Sequence, residues 1–162
     1  METAYLLTGG NLGDRLANVE WARLRIAEQV GNVVKASSVF ETAAWGFREQ
    51  PAFLNQVLQV STHLSAIGLL HAVLQIEEQA GRQRLQKMGP RIIDIDILFY
   101  NHEIISLPDL KVPHPEIENR RFVLTPLNEL APQFIHPVLQ TTVADLLQKC
   151  PDLLEVKKFD SF

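Results

Sequence analysis

The sequence predicts an α+β sandwich of ferredoxin-like architecture: an antiparallel sheet with helices packed on it, in the order βαββαβ, plus short C-terminal helices. Three observations predict this. Apolar residues recur at helical spacing between cap signals in residues 14–31 and 65–81. Runs rich in β-branched and aromatic residues alternate with them, at 4–8, 32–42, 53–62 and 92–100. No internal repeat or low-complexity segment interrupts the 162 residues, so one domain spanning 1–162 with a full-sized core is expected.

In chain order, residues 4–8 form the first strand candidate, and Gly9-Gly10-Asn11 follows as a turn. Paired glycines allow unusual backbone angles or close approach of another group. No Gly-Lys-Ser/Thr follows, so this is not a Walker loop. Asp14 can cap a helix to about Val30, with Leu16, Val19, Ala22, Ile26 and Val30 on one arc. Gly31 sits where a C′ glycine belongs. The second strand, residues 32–42, runs through Val33, Val34, Val39 and Phe40. Residues 43–51 form a loop whose Trp45 and Phe47 either mark a binding surface or fold back on the core.

The third strand alternates. Leu54, Leu58 and Val60 share one face; Phe53, Asn55 and Val57 share the other. A flat ring beside an amide suits a planar heterocycle, and the plainer alternative is a core Phe with a solvated Asn. Ser65 caps a second helix that ends at Gly81, with a stripe of Ala66, Leu69, Leu70, Val73, Ile76 and Ala80. Glu77 falls inside that stripe. A carboxylate there needs a partner. It is either a buried structural acid or a group that positions an arginine.

Residues 81–91 then carry Arg82, Arg84, Lys87 and Arg91 with no acid, a local reversal in a chain of net charge −4. The default is a solvated basic loop. Cations placed next to carboxylates suggest instead a polyphosphate clamp, with the flanking glycines letting it move as a lid. The fourth strand reads as central, an oily run broken by Asp94 and Asp96, which alternation puts on one face roughly 7 Å apart along the chain. Two carboxylates about 6 Å apart repel by roughly 3 kcal/mol at an effective dielectric of about 20. A cation relieves that repulsion, and paired oxygen donors suit Mg²⁺; a structural ion pair with Arg91 is the alternative.

Beyond the strand, Asn101-His102-Glu103 is a turn and residues 110–115 are extended, held by two prolines. His114 lies between those prolines, followed by Asn119-Arg120-Arg121-Phe122. Residues 122–131 and 142–149 are helix candidates. The tail carries little signal.

Composition excludes several classes. Hydrophobic content is 46% and charged content 21%, ordinary for a soluble globular protein. The net charge of −4 argues against a nucleic-acid partner. Cys150 is the only cysteine, so no intrachain disulfide forms. No secretory leader and no membrane-spanning run is evident, so a cytoplasmic protein without a membrane partner is expected.

The run Lys87-Met88-Gly89-Pro90-Arg91-Ile92-Ile93-Asp94-Ile95-Asp96-Ile97-Leu98 resembles the signature of the 6-hydroxymethyl-7,8-dihydropterin pyrophosphokinases. The likeness extends through Gly9-Gly10-Asn11-Leu12, Phe40-Glu41-Thr42, Phe53-Leu54-Asn55, Ile76-Glu77, Val112-Pro113-His114 and Asn119-Arg120-Arg121-Phe122. The resemblance implies a ferredoxin-like monomer that moves pyrophosphate from ATP, its co-substrate, to a pterin alcohol in folate biosynthesis. It implies two Mg²⁺ ions held by Asp94 and Asp96. It implies a pterin between Phe53 and Phe122, with contacts at Asn55, Asp94, Thr42 and Trp45. ATP contacts are implied at Arg82, Arg84, Arg91, Ile97, Lys111, His114 and Arg120, with Arg82 and Arg91 also catalytic. Met88, Leu74, Phe47, Lys111 and Pro115 depart from residues found in some members. These bear on nucleotide affinity and loop behaviour rather than reaction class. A two-metal nucleotidyltransferase and a non-enzymatic ligand-binding domain of the same fold are the rival expectations.

Overall fold

The computed structural model describes residues 1–43, 51–81 and 92–159. Strand β1 (Glu2–Gly10) leads into helix α1 (Arg15–Gln29), whose start is capped as its sequence predicts: the Asp14 carboxylate accepts the Ala17 N–H at 3.1 Å. Next come β2 (Gly31–Ala36), β3 (Phe40–Thr42) and β4 (Phe53–Thr62). The Ser65 hydroxyl accepts the Gly68 N–H at 3.0 Å and starts α2 (Ala66–Gln79). Gly81, at φ +77°, ends that helix in the left-handed conformation expected of a C′ glycine. Gly31 does not play that part. It opens β2, and a Cβ there would lie 2.2 Å from the Ser61 carbonyl oxygen, so it is glycine for close strand approach.

Strand β5 (Asp94–Tyr100) is followed by a small hairpin, β6 (Ile105–Leu107) with β7 (Leu110–Val112), and a 3₁₀ turn at Ile117–Asn119. Helices α3 (Arg121–Leu130) and α4 (Val143–Gln148) and strand β8 (Val156–Lys158) complete the described chain. No helix among the described residues is long and apolar enough to cross a membrane.

Among the described residues, the main sheet is antiparallel throughout, in the order β5-β1-β4-β3-β8, with β2 also on β4. This is the expected ferredoxin-like arrangement with its second strand split. The break falls at Ser37, whose hydroxyl accepts the Val57 N–H at 3.0 Å and whose carbonyl accepts the Gln56 side-chain amide at 2.8 Å. Side-chain bonds there stand in for part of the ladder.

Two further expectations need correction. Strand β1 runs on through Gly10, where a turn was expected at residues 9–11, because β4 and β5 flank it on either side. Strand β5 lies at the sheet edge, not at its centre. Its outer rim is covered all the same: the His114 N–H donates to the Leu98 carbonyl at 3.0 Å, and the Ile95 N–H donates to Glu77 at 2.7 Å. The tail, which carries little sequence signal, supplies β8.

The sheet separates two cores. Leu6, Leu58, Val60, Ile95 and Ile97 pack under α1 and α2 through Ile26, Leu69, Val73 and Ile76. On the opposite face Tyr5, Leu7, Val57, Leu98 and Phe99 pack under α3 and α4 through Val123, Leu124, Leu127 and Leu146. A register shift between Tyr5 and Leu6 bulges β5, which puts consecutive Leu98 and Phe99 into the same core.

Candidate active site

Strand register builds the floor of the site. Thr42 opposes Phe53, Gly9 lies between Asn55 and Asp94, and Leu7 opposes Asp96. Paired residues of an antiparallel ladder share a face, so Thr42, Phe53, Asn55, Asp94 and Asp96 all project the same way. It is the face that α3 covers further along. Where α3 begins, the cover gives way to a cavity of about 580 Å³. Phe53, Asn55, Asp94 and Asp96 line it from the sheet, and His114, Arg120 and Phe122 from the opposite wall. Both rings and both aspartates singled out by the sequence therefore meet in one space, of a size suited to a small planar ligand.

Each wall has a physical reason for its shape. Asn55 is buried and its Nδ2 donates to the Thr8 carbonyl at 3.4 Å. That amide fits only because position 9 is glycine: a Cβ there would meet Asn55 Nδ2 at 2.0 Å and the Leu54 carbonyl oxygen at 2.8 Å. The paired glycines thus serve close approach rather than unusual angles at Gly9. Thr42 Oγ1 is buried with no hydrogen-bond partner among the described residues, a polar atom poised beside the cavity. Arg120 holds its guanidinium 6.0 Å from the Phe122 ring centroid. Of the two adjacent arginines only Arg120 lines the cavity. Arg121 turns into the tail, donating from Nε to the Asp152 carbonyl at 2.9 Å.

His114 is fixed by its neighbours. Its Nδ1 lies 2.6 Å from the Pro115 carbonyl, which can only accept, so Nδ1 carries the hydrogen. Nε2 then points to Asp96, 3.9 Å from Oδ1. The Asp96 side chain is 41% exposed, open enough to meet a ligand.

A second cavity of about 350 Å³ opens on the other side of the aspartates. Leu74, Glu77, Ile97, Lys111 and Pro115 border it, and it shares Asp94, Asp96 and His114 with the first. The Ile97 side chain belongs to the α1/α2 core, so its contribution to a ligand is confined to the little surface it leaves at this cavity. Lys111 is exposed, with Nζ 3.2 Å from the Ser106 hydroxyl. Glu77 is buried at 3% exposure and accepts the N–H of Ile95, the residue between the two aspartates. It therefore fixes the very stretch of strand that carries them.

Trp45, Arg82, Arg84 and Arg91 lie outside the described residues. Glu116 is a charged cavity residue that the sequence did not single out. It lines the first cavity from a left-handed position, φ +74°, and accepts from Asn119 Nδ2 at 3.0 Å. A glutamate in an irregular segment gives no periodic signal by which to find it.

The donor set suits a hard cation. Asp94 and Asp96 offer carboxylate oxygens from one face, with no thiolate nearby. Among the described residues no group of three or more His, Cys, Asp or Glu side chains gathers to hold a metal. Phosphate oxygens and water would have to supply the remaining ligands, as is usual for Mg²⁺ at nucleotide sites.

Residues 5–132 match the family model of 7,8-dihydro-6-hydroxymethylpterin-pyrophosphokinase (HPPK). The chain is 44% identical over 138 residues to the 2-amino-4-hydroxy-6-hydroxymethyldihydropteridine pyrophosphokinase of Aquifex aeolicus, covering 85% of this chain and 86% of that protein. It is 40% identical over 148 residues to the folic acid synthesis protein FOL1 of Dictyostelium discoideum, covering 91% of this chain and only 22% of that longer one. A solved structure of Plasmodium falciparum HPPK-DHPS superposes with a TM-score of 0.74 at 18% identity, over 91% of this chain and 43% of that one, a likeness of fold. With the family model matching residues 5–132 and a relative 44% identical over most of both chains, the chain belongs to the 7,8-dihydro-6-hydroxymethylpterin-pyrophosphokinase family.

Proposed function

We propose a division of labour between the two cavities, with the pterin in the larger, the nucleotide in the smaller, and the reacting groups meeting at the aspartates. As a pterin pyrophosphokinase, the chain transfers a pyrophosphoryl group from ATP to 6-hydroxymethyl-7,8-dihydropterin, a step of folate biosynthesis. The observation that carries the division is the sharing of Asp94, Asp96 and His114 by both cavities. An enzyme that joins two substrates needs its charged groups at their common boundary.

In this reading Phe53 and Phe122 stack the pterin ring, while Asn55, Thr42 and Asp94 supply polar contacts. Trp45 is a further contact proposed from the sequence. The hydroxymethyl oxygen attacks the β-phosphorus of ATP, the bond to the α-phosphate's bridging oxygen breaks, AMP leaves, and the hydroxyl proton passes to water. His114, Arg84 and Lys111 hold phosphates and ribose, Ile97 borders the nucleotide, and Arg120, which lines the larger cavity, reaches the phosphates from the pterin side. Arg82 and Arg91 stabilise charge that builds on the transferred group. Asp94 and Asp96 would hold two Mg²⁺ ions, which when bound neutralise phosphate charge. We also propose a cytoplasmic monomer without nucleic-acid or membrane partners; that one copy of the chain lines both cavities supports the monomer.

Gly9→Ala is expected to weaken pterin binding at least about tenfold, because the new methyl displaces the Asn55 amide from its contact with Thr8. The KM for the pterin alcohol measures this, and an unchanged KM would remove Asn55 from the pterin contacts. The direct test of the reaction is product analysis from Mg-ATP with the pterin alcohol supplied and omitted. AMP appearing only when the alcohol is present is expected. ADP as the sole nucleotide product would reject attack at the β-phosphorus.

A further inference from the structure

The family match ends at residue 132, yet the segment beyond it reaches back to the site. Asp152 is buried, and its Oδ2 accepts the backbone N–H of Arg121, the first residue of α3, at 3.1 Å. Its Oδ1 accepts the Leu154 N–H at 3.0 Å. A carboxylate on the first N–H of a helix answers both an unsatisfied donor and the positive end of the helix dipole. Arg120 makes no side-chain cap there, so Asp152 supplies from the tail what the local sequence lacks. Arg121 closes the clasp by donating to the carbonyls of Asp152 and Cys150, at 2.9 and 3.4 Å.

The same segment then crosses to the other side of the cavity. Strand β8 pairs with β3, placing Val156 opposite Thr42, and the Phe159 N–H donates to the Val39 carbonyl at 2.8 Å. Arg15 lies over the Phe159 ring at 5.4 Å and donates to Glu41 at 2.8 Å and to the Ala52 carbonyl at 2.9 Å. Residues 150–159 thus tie the start of α3, which carries Arg120 and Phe122, to β3, which carries Thr42. Those two elements are opposite walls of one cavity.

We propose that residues 150–159 act as a positioning strap for the pterin cavity, with Asp152 and Arg121 as positioning residues that set the distance between Phe122 and the sheet. The proposal rests on the assignment of Phe122 and Phe53 to pterin stacking. A ring displaced by about an ångström loses much of its stacking contact, since dispersion falls steeply with separation. The strap therefore acts on affinity for the pterin among folded molecules, and not only on how many molecules are folded.

The test measures binding of the pterin alcohol by calorimetry, with Mg²⁺ and a non-hydrolysable ATP analogue present, well below each variant's melting temperature. Asp152→Ala and Arg121→Ala are expected to weaken binding about tenfold, with Asp152→Asn, which keeps one acceptor oxygen, in between. If Asp152→Ala does not fold, Asp152→Asn and Arg121→Ala decide the matter. Phe122→Ala is the control. If Phe122→Ala weakens binding and the strap variants melt earlier but bind the pterin as the parent does, the strap is scaffold alone and the proposal fails. If Phe122→Ala also binds as the parent does, the stacking assignment itself is wrong, and the strap's role goes with it.

Discussion

Asp96→Asn and Asp94→Asn are each expected to lower turnover by at least about a thousandfold, because a cation's stabilisation of phosphoryl charge is worth several kcal/mol and each ~1.4 kcal/mol is a decade in rate. The fold without ligands should keep its stability or gain slightly. The amide has the shape of the acid, and replacing one carboxylate removes repulsion across a shared face of β5. Turnover at saturating Mg-ATP and pterin alcohol, with urea melts of the same variants, checks both halves. Stability falling by several kcal/mol while turnover survives would mean that the carboxylates serve a structural ion pair, the alternative in which Arg91 is the partner.

Glu77→Ala should destabilise the fold and slow the reaction together. It strips the acceptor from a buried N–H on the outer rim of an edge strand, a loss of about 1–3 kcal/mol. The same N–H lies between Asp94 and Asp96, so turnover should fall as well, by about tenfold to a hundredfold, as both carboxylates lose their fixed placement. Glu77→Gln separates the causes, since its carbonyl oxygen can still accept from Ile95. Recovery of stability and turnover together assigns Glu77 to holding the strand. Recovery of stability alone assigns its charge a second part, such as orienting an arginine of residues 82–91.

Much of this was legible in the sequence because local chemistry and final contacts coincide. Asp14 and Ser65 cap the helices they precede, since a short acceptor before an apolar period has few other uses. Period-two alternation put Phe53 with Asn55 and Asp94 with Asp96, and the pleat keeps those pairs on one face. The family resemblance singled out Phe122 for the pterin and His114 for the ATP, residues of distant segments that periodicity alone could not connect to the site, and both line the larger cavity. What was not legible depends on pairing across long separations. Strand β5 reads as central because both its faces are apolar, but among the described residues it lies at the sheet edge, where Glu77 accepts from Ile95 and the His114 amide donates to Leu98. Gly31 reads as a helix terminator, yet its identity is dictated by Ser61 on a neighbouring strand. The split at Ser37 and the strand at Val156–Lys158 leave no local pattern, since each exists only through its partner.

Crystals grown with Mn²⁺ in place of Mg²⁺, a non-hydrolysable ATP analogue and the pterin alcohol test the central assignment most directly. The expected result is anomalous density at the boundary of the two cavities, with Asp94 and Asp96 both ligating and the phosphates completing the shell at about 2.0–2.2 Å. Anomalous density absent from that boundary, with the two carboxylates bonded instead to guanidinium groups, would contradict it.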